Sequence, residues 1–231
     1  MPILSLDYLL FMAPALILAG LATLFTKATF GRYSHVRARS GLTGAQAAAL
    51  LLESQGVADV RIEPVQGFLS DHYDPASRTL RLSPDVYRSP SLAAIGVACH
   101  EAGHALQHAA RYAPLMLRSG MVPLVQFGSQ AAYILFMLGF FLGAVGFIRI
   151  GIVLFTGAVA FSIVTLPVEW NASARAKRLM VAAGIVTPAE QVGAGRVLNA
   201  AFLTYVASAF TSLLTLVYYL ARAGLLGRRD D

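Results

Sequence analysis

Charges are spaced along this chain so as to leave long uncharged stretches around one mixed polar segment. Residues 8–26, 119–148, 150–168 and 197–221 contain no Asp, Glu, Lys or Arg and are rich in apolar side chains. A helix needs about 20 apolar residues to cross a bilayer, and a charge near its centre is costly. The pattern therefore predicts four membrane-spanning helices. The second stretch exceeds one crossing, so its span is expected from near Pro123 to near Phe147. Before the first stretch stands only Asp7, with no basic flank, and the apolar run is longer than the roughly 7–15 residues of a signal peptide's core. It reads as a retained anchor, with Pro14 placed to kink it as membrane helices tolerate.

Between the first and second spans, from 27 to about 115, polar and apolar positions alternate on shorter periods. Thr43 with Gln46 forms a capping-box pattern for a helix over 47–54, with Gly56 as its stop. Residues 57–65 alternate weakly, as a strand would. Residues 68–73 and 78–83, joined by a turn at Asp74-Pro75-Ala76-Ser77, predict a hairpin. Ser89-Pro90-Ser91 then opens a helix that runs through small and apolar residues until Pro114.

Composition agrees with a membrane protein. Of 231 residues 57% are hydrophobic and only 13% are charged, about half the charge of a typical soluble chain. Disorder is excluded by the apolar content and a disulfide scaffold by the single Cys99. The net charge of +6 is spread without the dense basic cluster of a nucleic-acid binder, so no nucleic-acid partner is expected. Its distribution instead speaks to topology. With the N-terminus outside, only Arg149, Arg222, Arg228 and Arg229 of the 18 Lys and Arg residues lie on the outer side. The positive-inside rule then puts the polar domain on the cytoplasmic face.

The candidate chemistry lies on the last helix of that domain. His100-Glu101-Ala102-Gly103-His104 matches H-E-x-x-H, in which residues four apart share a helix face and both imidazoles reach one zinc ion. Glu101 flanks that face as general base for a zinc-activated water attacking a peptide carbonyl. The plainer alternative is a polar network of two histidines and a glutamate. A catalytic zinc needs a third protein ligand. His108 lies about 12 Å along a straight helix from His100 and cannot share the ion with both other histidines. A metzincin would carry histidine where this chain has Ala110. Among the downstream acids, Asp230 and Asp231 end the tail, and Glu190 is occupied as the capping-box partner of Thr187 ahead of Pro188. Glu169 has no such local role and lies two crossings from the motif, hence on the same side. His72 and His35 are the other candidates, and for Glu169 the alternative is an interfacial ion pair with Arg175 or Lys177.

Several blocks together resemble the YugP-type neutral zinc metallopeptidases, which are bacterial membrane proteins. They are Ser70-Asp71-His72-Tyr73-Asp74-Pro75, Leu80-Arg81-Leu82-Ser83, the run from His100 to His108, Tyr112-Ala113-Pro114-Leu115, and Leu166-Pro167-Val168-Glu169 with Asn171-Ala172-Ser173. The resemblance implies one catalytic Zn²⁺, peptidase activity and a plasma-membrane location, and it supports Glu169 as a gluzincin-like ligand.

Further residues are weighed beside this core. His72 or Tyr73 could stabilise an oxyanion, or simply hydrogen-bond in the turn. Asn171, Ser173 and His108 are candidates for orienting the site from behind the ligands. Cys99 points away from the metal face and reads as a small buried residue. Gly139 and Gly143 form a G-x-x-x-G that would suit close helix packing or a homo-oligomer.

The expected fold is thus mainly α: a four-helix transmembrane bundle with a small α+β zincin-like domain inserted between the first and second spans. Its segments are 1–26, 27–118, 119–148, 149–168, 169–196 and 197–231. The expected function is an integral-membrane zinc metalloendopeptidase whose partners are the bilayer and a protein or peptide substrate, the latter delivered through the membrane or not. The rival is a catalytically idle, zinc-stabilised membrane scaffold.

Overall fold

The computed structural model describes residues 6–67 and 70–225. Residues 68 and 69 of the expected hairpin and the tail residues Arg228, Arg229, Asp230 and Asp231 lie outside them. The protein is mainly helical. Its elements are α1 (Leu6–Ser34), α2 (Gly44–Ser54), β1 (Arg61–Pro64), β2 (His72–Asp74), β3 (Thr79–Leu82), α3 (Pro84–Tyr87), α4 (Leu92–Ala109), α5 (Ala113–Leu142), α6 (Val145–Ala182) and α7 (Pro188–Arg222). Four of these, α1, α5, α6 and α7, are long and apolar enough to cross a membrane.

The chain divides into two compact units. One combines Ala22–Met116 with Pro167–Leu203, and the other takes 1–21, 117–166 and 204–231. The first unit therefore draws on the segment between the first two spans and equally on the second half of α6 and the first turns of α7.

Within the first unit, local sequence starts the helices as expected. Gln46 N donates to Thr43 Oγ1 and Thr43 N to Gln46 Oε1, completing the capping box of α2. Ser91 Oγ accepts from Ala94 N at 3.2 Å and caps α4. Thr187 and Glu190 form the same reciprocal pair ahead of α7. The three strands form one sheet in the order β1-β3-β2, with β2 antiparallel and β1 parallel to β3. The hairpin turn is built by Asp74, whose carboxylate accepts from Ala76 N and Ser77 Oγ. Its hydrogen bonds to Ser77 and Arg81 hold it down to about 2. The core packs α2, the sheet and α4 together with Ala176, Met180, Ile185 and Ala194 from α6, α7 and the turn between them.

In the second unit a small cluster of Ala132, Phe136, Ile148, Ile152 and Tyr219 is buried, with the Phe136 and Tyr219 rings stacked at 3.9 Å. Helix limits and uncharged stretches do not coincide. Helix α5 begins at Ala113 and carries Pro123 inside it, and the turn to α6 falls at Gly143 and Ala144 rather than beside Arg149. A charge marks where a helix meets water, not where its backbone ends. Gly143 adopts φ +66° in that turn, and a Cβ on Gly139 would strike Ile148 Cγ1 at 2.6 Å. Both glycines of the G-x-x-x-G therefore serve the α5–α6 corner.

Candidate metal centre

Helix α4 is made largely of Ala and Gly because another backbone runs close beside it. A Cβ on Gly103 would lie 2.7 Å from the carbonyl oxygen of Ala172 in α6. Position 103, inside the H-E-x-x-H motif, thus has to lack a side chain for α6 to approach. That approach brings Glu169, three residues before Ala172, against the two motif histidines. Glu169 Oε2 lies 3.1 Å from His100 Nε2 and 3.5 Å from His104 Nε2. The three residues form a group whose donor atoms all fall within 4.8 Å of one another.

Each imidazole is held through its other nitrogen. His100 Nδ1 is 3.1 Å from Ser173 Oγ. His104 Nδ1 is 3.0 Å from Gln107 Oε1. The orientation of Gln107 follows from its amide nitrogen, which donates to Val168 O at 2.8 Å and to Asn171 Oδ1 at 3.0 Å. Asn171 Oδ1 also accepts from Arg175 Nε at 2.8 Å. With its nitrogen facing two acceptors, Gln107 presents an oxygen to His104, so Nδ1 of His104 carries the hydrogen. In the neutral ring the Nε2 lone pair then points at a carboxylate oxygen.

Two acceptors face one another at that distance only when something positive lies between them. Glu169 is only 1% exposed, and a buried charge of this kind is costly unless paired. A proton satisfies the demand, and His104 shows it. Burial opposes its charging, but the hydrogen bond to Glu169, the charges of Glu101 and Glu169, and the bond to Gln107 raise its proton affinity. A divalent cation satisfies the same demand with better chemistry, since two imidazole nitrogens and a carboxylate oxygen are the donor set of a catalytic zinc site. The residues present fit zinc.

Glu101 is partly buried, and its side chain hydrogen-bonds to none of the described residues. Its charge reaches both His104 and Asp71. Asp71 accepts from Ser83 N and Oγ, at 2.8 and 3.1 Å, and so ties the start of β2 to the end of β3. Burial raises its pKa, against those hydrogen bonds and together with Glu101.

The remaining sequence candidates take different places. Tyr73 directs its hydroxyl to His108 Nδ1 at 2.9 Å, and neither residue hydrogen-bonds to the His100–His104–Glu169 group. His72 is exposed, with Nδ1 2.7 Å from Ser70 O. His35 is exposed. Arg175 and Lys177 hydrogen-bond to Asn171 and Asn199. Cys99 is fully buried in the core, and burial pushes its thiol up to about 12. Sequence reading overlooked Gln107. Its signal was an uncharged polar residue three positions after His104, one helical turn on, and it is wholly buried.

Comparison with known proteins agrees with this chemistry. Residues 8–224 match the model of a family described as "Putative neutral zinc metallopeptidase". The "Putative membrane protease YugP" of Bacillus subtilis (strain 168) is 49% identical over 193 residues, which span 84% of this chain and 86% of that protein. No solved structure matches the chain. With a match that takes in all four long helices and the His100–His104–Glu169 group, the chain belongs to this neutral zinc metallopeptidase family.

Proposed function

We propose that the protein is an integral-membrane zinc metalloendopeptidase in which His100, His104 and Glu169 hold one zinc ion and Glu101 is the general base. The observation that carries the reading is the convergence of three donor atoms from α4 and α6, with both imidazoles oriented from behind by Ser173 and Gln107. Zinc in such a site lowers the pKa of a water towards neutrality and polarises a substrate carbonyl. The Glu101 carboxylate would accept a proton from the attacking water and return it to the leaving amine. Tyr73 and His72 are the candidate donors to the developing oxyanion; the Tyr73 hydroxyl is shared with His108 Nδ1. Asn171 acts one step further back, by fixing Gln107. Membership of the family supports a bacterial plasma-membrane location, and the Lys and Arg distribution supports a site on the cytoplasmic face. Its substrates are proteins or peptides, including chains delivered through the membrane.

The test compares purified full-length protein with its Glu101→Gln variant, using casein and a membrane-inserted peptide as substrates. The native protein cleaves only with zinc present, and chelator abolishes cleavage. Glu101→Gln keeps its zinc and loses activity by about 10²–10⁴-fold, the usual contribution of a general base. Unfolding on chelation, with no cleavage of either substrate by the zinc-loaded protein, would establish the idle scaffold instead.

A further inference from the structure

A groove of about 520 Å³ lies between α1 and α7 within the first unit, well separated in sequence from the metal ligands. Its apolar lining includes Phe25 and Ala28, and its polar lining includes Arg32, Tyr33, Arg196 and Asn199. The walls are tied by Thr26 Oγ1, which donates to Ala200 O at 2.9 Å. Both walls change character at this level. The uncharged stretch of α1 ends at Lys27, and that of α7 begins after Arg196.

The cations gathered here lack a counter-charge. Arg196 Nη1 donates to the Tyr33 hydroxyl at 3.2 Å, while the Arg32 guanidinium stands over the same ring, 5.7 Å from its centroid. Lys177 donates to Asn199 Oδ1 at 3.0 Å. Among the described residues, none of these three has a carboxylate within ion-pair distance. Two guanidiniums drawn to one tyrosine, with an ammonium beside them, leave positive charge in the groove that an anion would balance. The apolar floor then selects the kind of anion. A soluble phosphate would use the guanidiniums and leave the floor wet, whereas a lipid places its phosphate on the arginines and its glycerol and upper chains on Phe25 and Ala28.

We propose that this groove binds the headgroup of an anionic phospholipid, with Arg32 and Arg196 on the phosphate and Phe25 and Ala28 against the apolar part. The site is independent of the zinc chemistry. Trp170 is the single tryptophan of the chain, and the Lys177 ammonium that reaches Asn199 also lies over its ring at 5.4 Å. It therefore reports on this neighbourhood.

The full-length protein is reconstituted in phosphatidylcholine nanodiscs carrying equal fractions of either brominated phosphatidylglycerol or brominated phosphatidylcholine, and Trp170 quenching is measured. Brominated phosphatidylglycerol is expected to quench more. Each basic side chain at an anionic surface contributes about fivefold in binding, so the Arg32→Gln/Arg196→Gln variant should lose roughly 25-fold in preference. Arg32→Lys/Arg196→Lys, which keeps the charge, should retain most of it. Should the double Gln variant not fold, Arg196→Gln alone should show the fivefold step. Equal quenching by the two lipids, or an excess that survives loss of both arginines, overturns the proposal. Displacement of the excess by inorganic phosphate at matched ionic strength would make this a soluble-anion site and overturn it as well.

Discussion

The two units of this chain bury their apolar residues in opposite ways. In the unit that holds the His100–His104–Glu169 group, side chains such as Leu51, Ile95 and Leu80 are wholly buried and the helices meet over alanine and glycine. In the other unit, outside the small cluster around Phe136 and Tyr219, many large apolar residues point outward, with Phe141 81% and Phe127 73% exposed. One is organised around its own interior and the other presents its apolar surface to its surroundings, as a bundle solvated by lipid does. Small residues are what allow α4 and α6 to approach until a carboxylate and two imidazoles meet. A chemically demanding site thus sits in the unit whose packing is tight enough to hold it, while the second unit needs only length and hydropathy.

The comparison breaks most severely where the tight unit loses a ligand. Glu169→Ala should leave the protein without stoichiometric zinc and without hydrolysis, read by metal analysis and substrate cleavage. The loss should exceed the roughly 10- to 100-fold penalty typical of residues that merely orient a ligand. Full zinc and full activity in Glu169→Ala would remove Glu169 from the site. Next comes the contact that sets the spacing. Gly103→Ala places a methyl 2.7 Å from Ala172 O. It should cost about 1–3 kcal/mol by overpacking, seen as a lower denaturation midpoint, and it should weaken zinc because α4 and α6 each carry ligands. Smaller still is the effect of the supports. Ser173→Ala and Asn171→Ala should each lower zinc affinity by about 10- to 100-fold with the fold intact, measured by competition with a chelating dye. Of the two, Ser173 should matter more, since it touches His100 directly and Asn171 acts through Gln107.

What could be read from sequence divides along the same line. Capping pairs Thr43–Gln46 and Thr187–Glu190 were legible because both partners lie within one turn. So was the spacing of His100 and His104. Glu169 was reachable only because acids are scarce after the motif, which turned a tertiary question into elimination. The link from Arg175 through Asn171 and Gln107 to His104 was not legible, because it joins two helices whose packing depends on Gly103 meeting Ala172. The parallel pairing of β1 with β3 was hidden because β2 and its turn lie between the two strands in sequence. Helix limits are not legible from charges alone: α6 continues past Glu169 to Ala182, because its second half packs Ala176, Leu179 and Met180 on the core of the first unit.

The mildest prediction concerns the outward face of the second unit and decides what solvates it. If lipid alone covers Phe141, then Phe141→Leu exchanges one apolar group for another in the same apolar solvent. Stability should then change by no more than about 0.5 kcal/mol, as for substitutions that touch no packed neighbour. Ile95→Ala in the tight unit should by contrast cost about 2–5 kcal/mol, because a cavity opens there. Both are measured by thermal denaturation of the zinc-loaded protein in the same bilayer mimic. A cost of 2 kcal/mol or more for Phe141→Leu would mean that a packed protein surface, not fluid lipid, lies against α5. The second unit would then have an interior of its own making with a partner, and the contrast between the two units would hold only for the isolated chain.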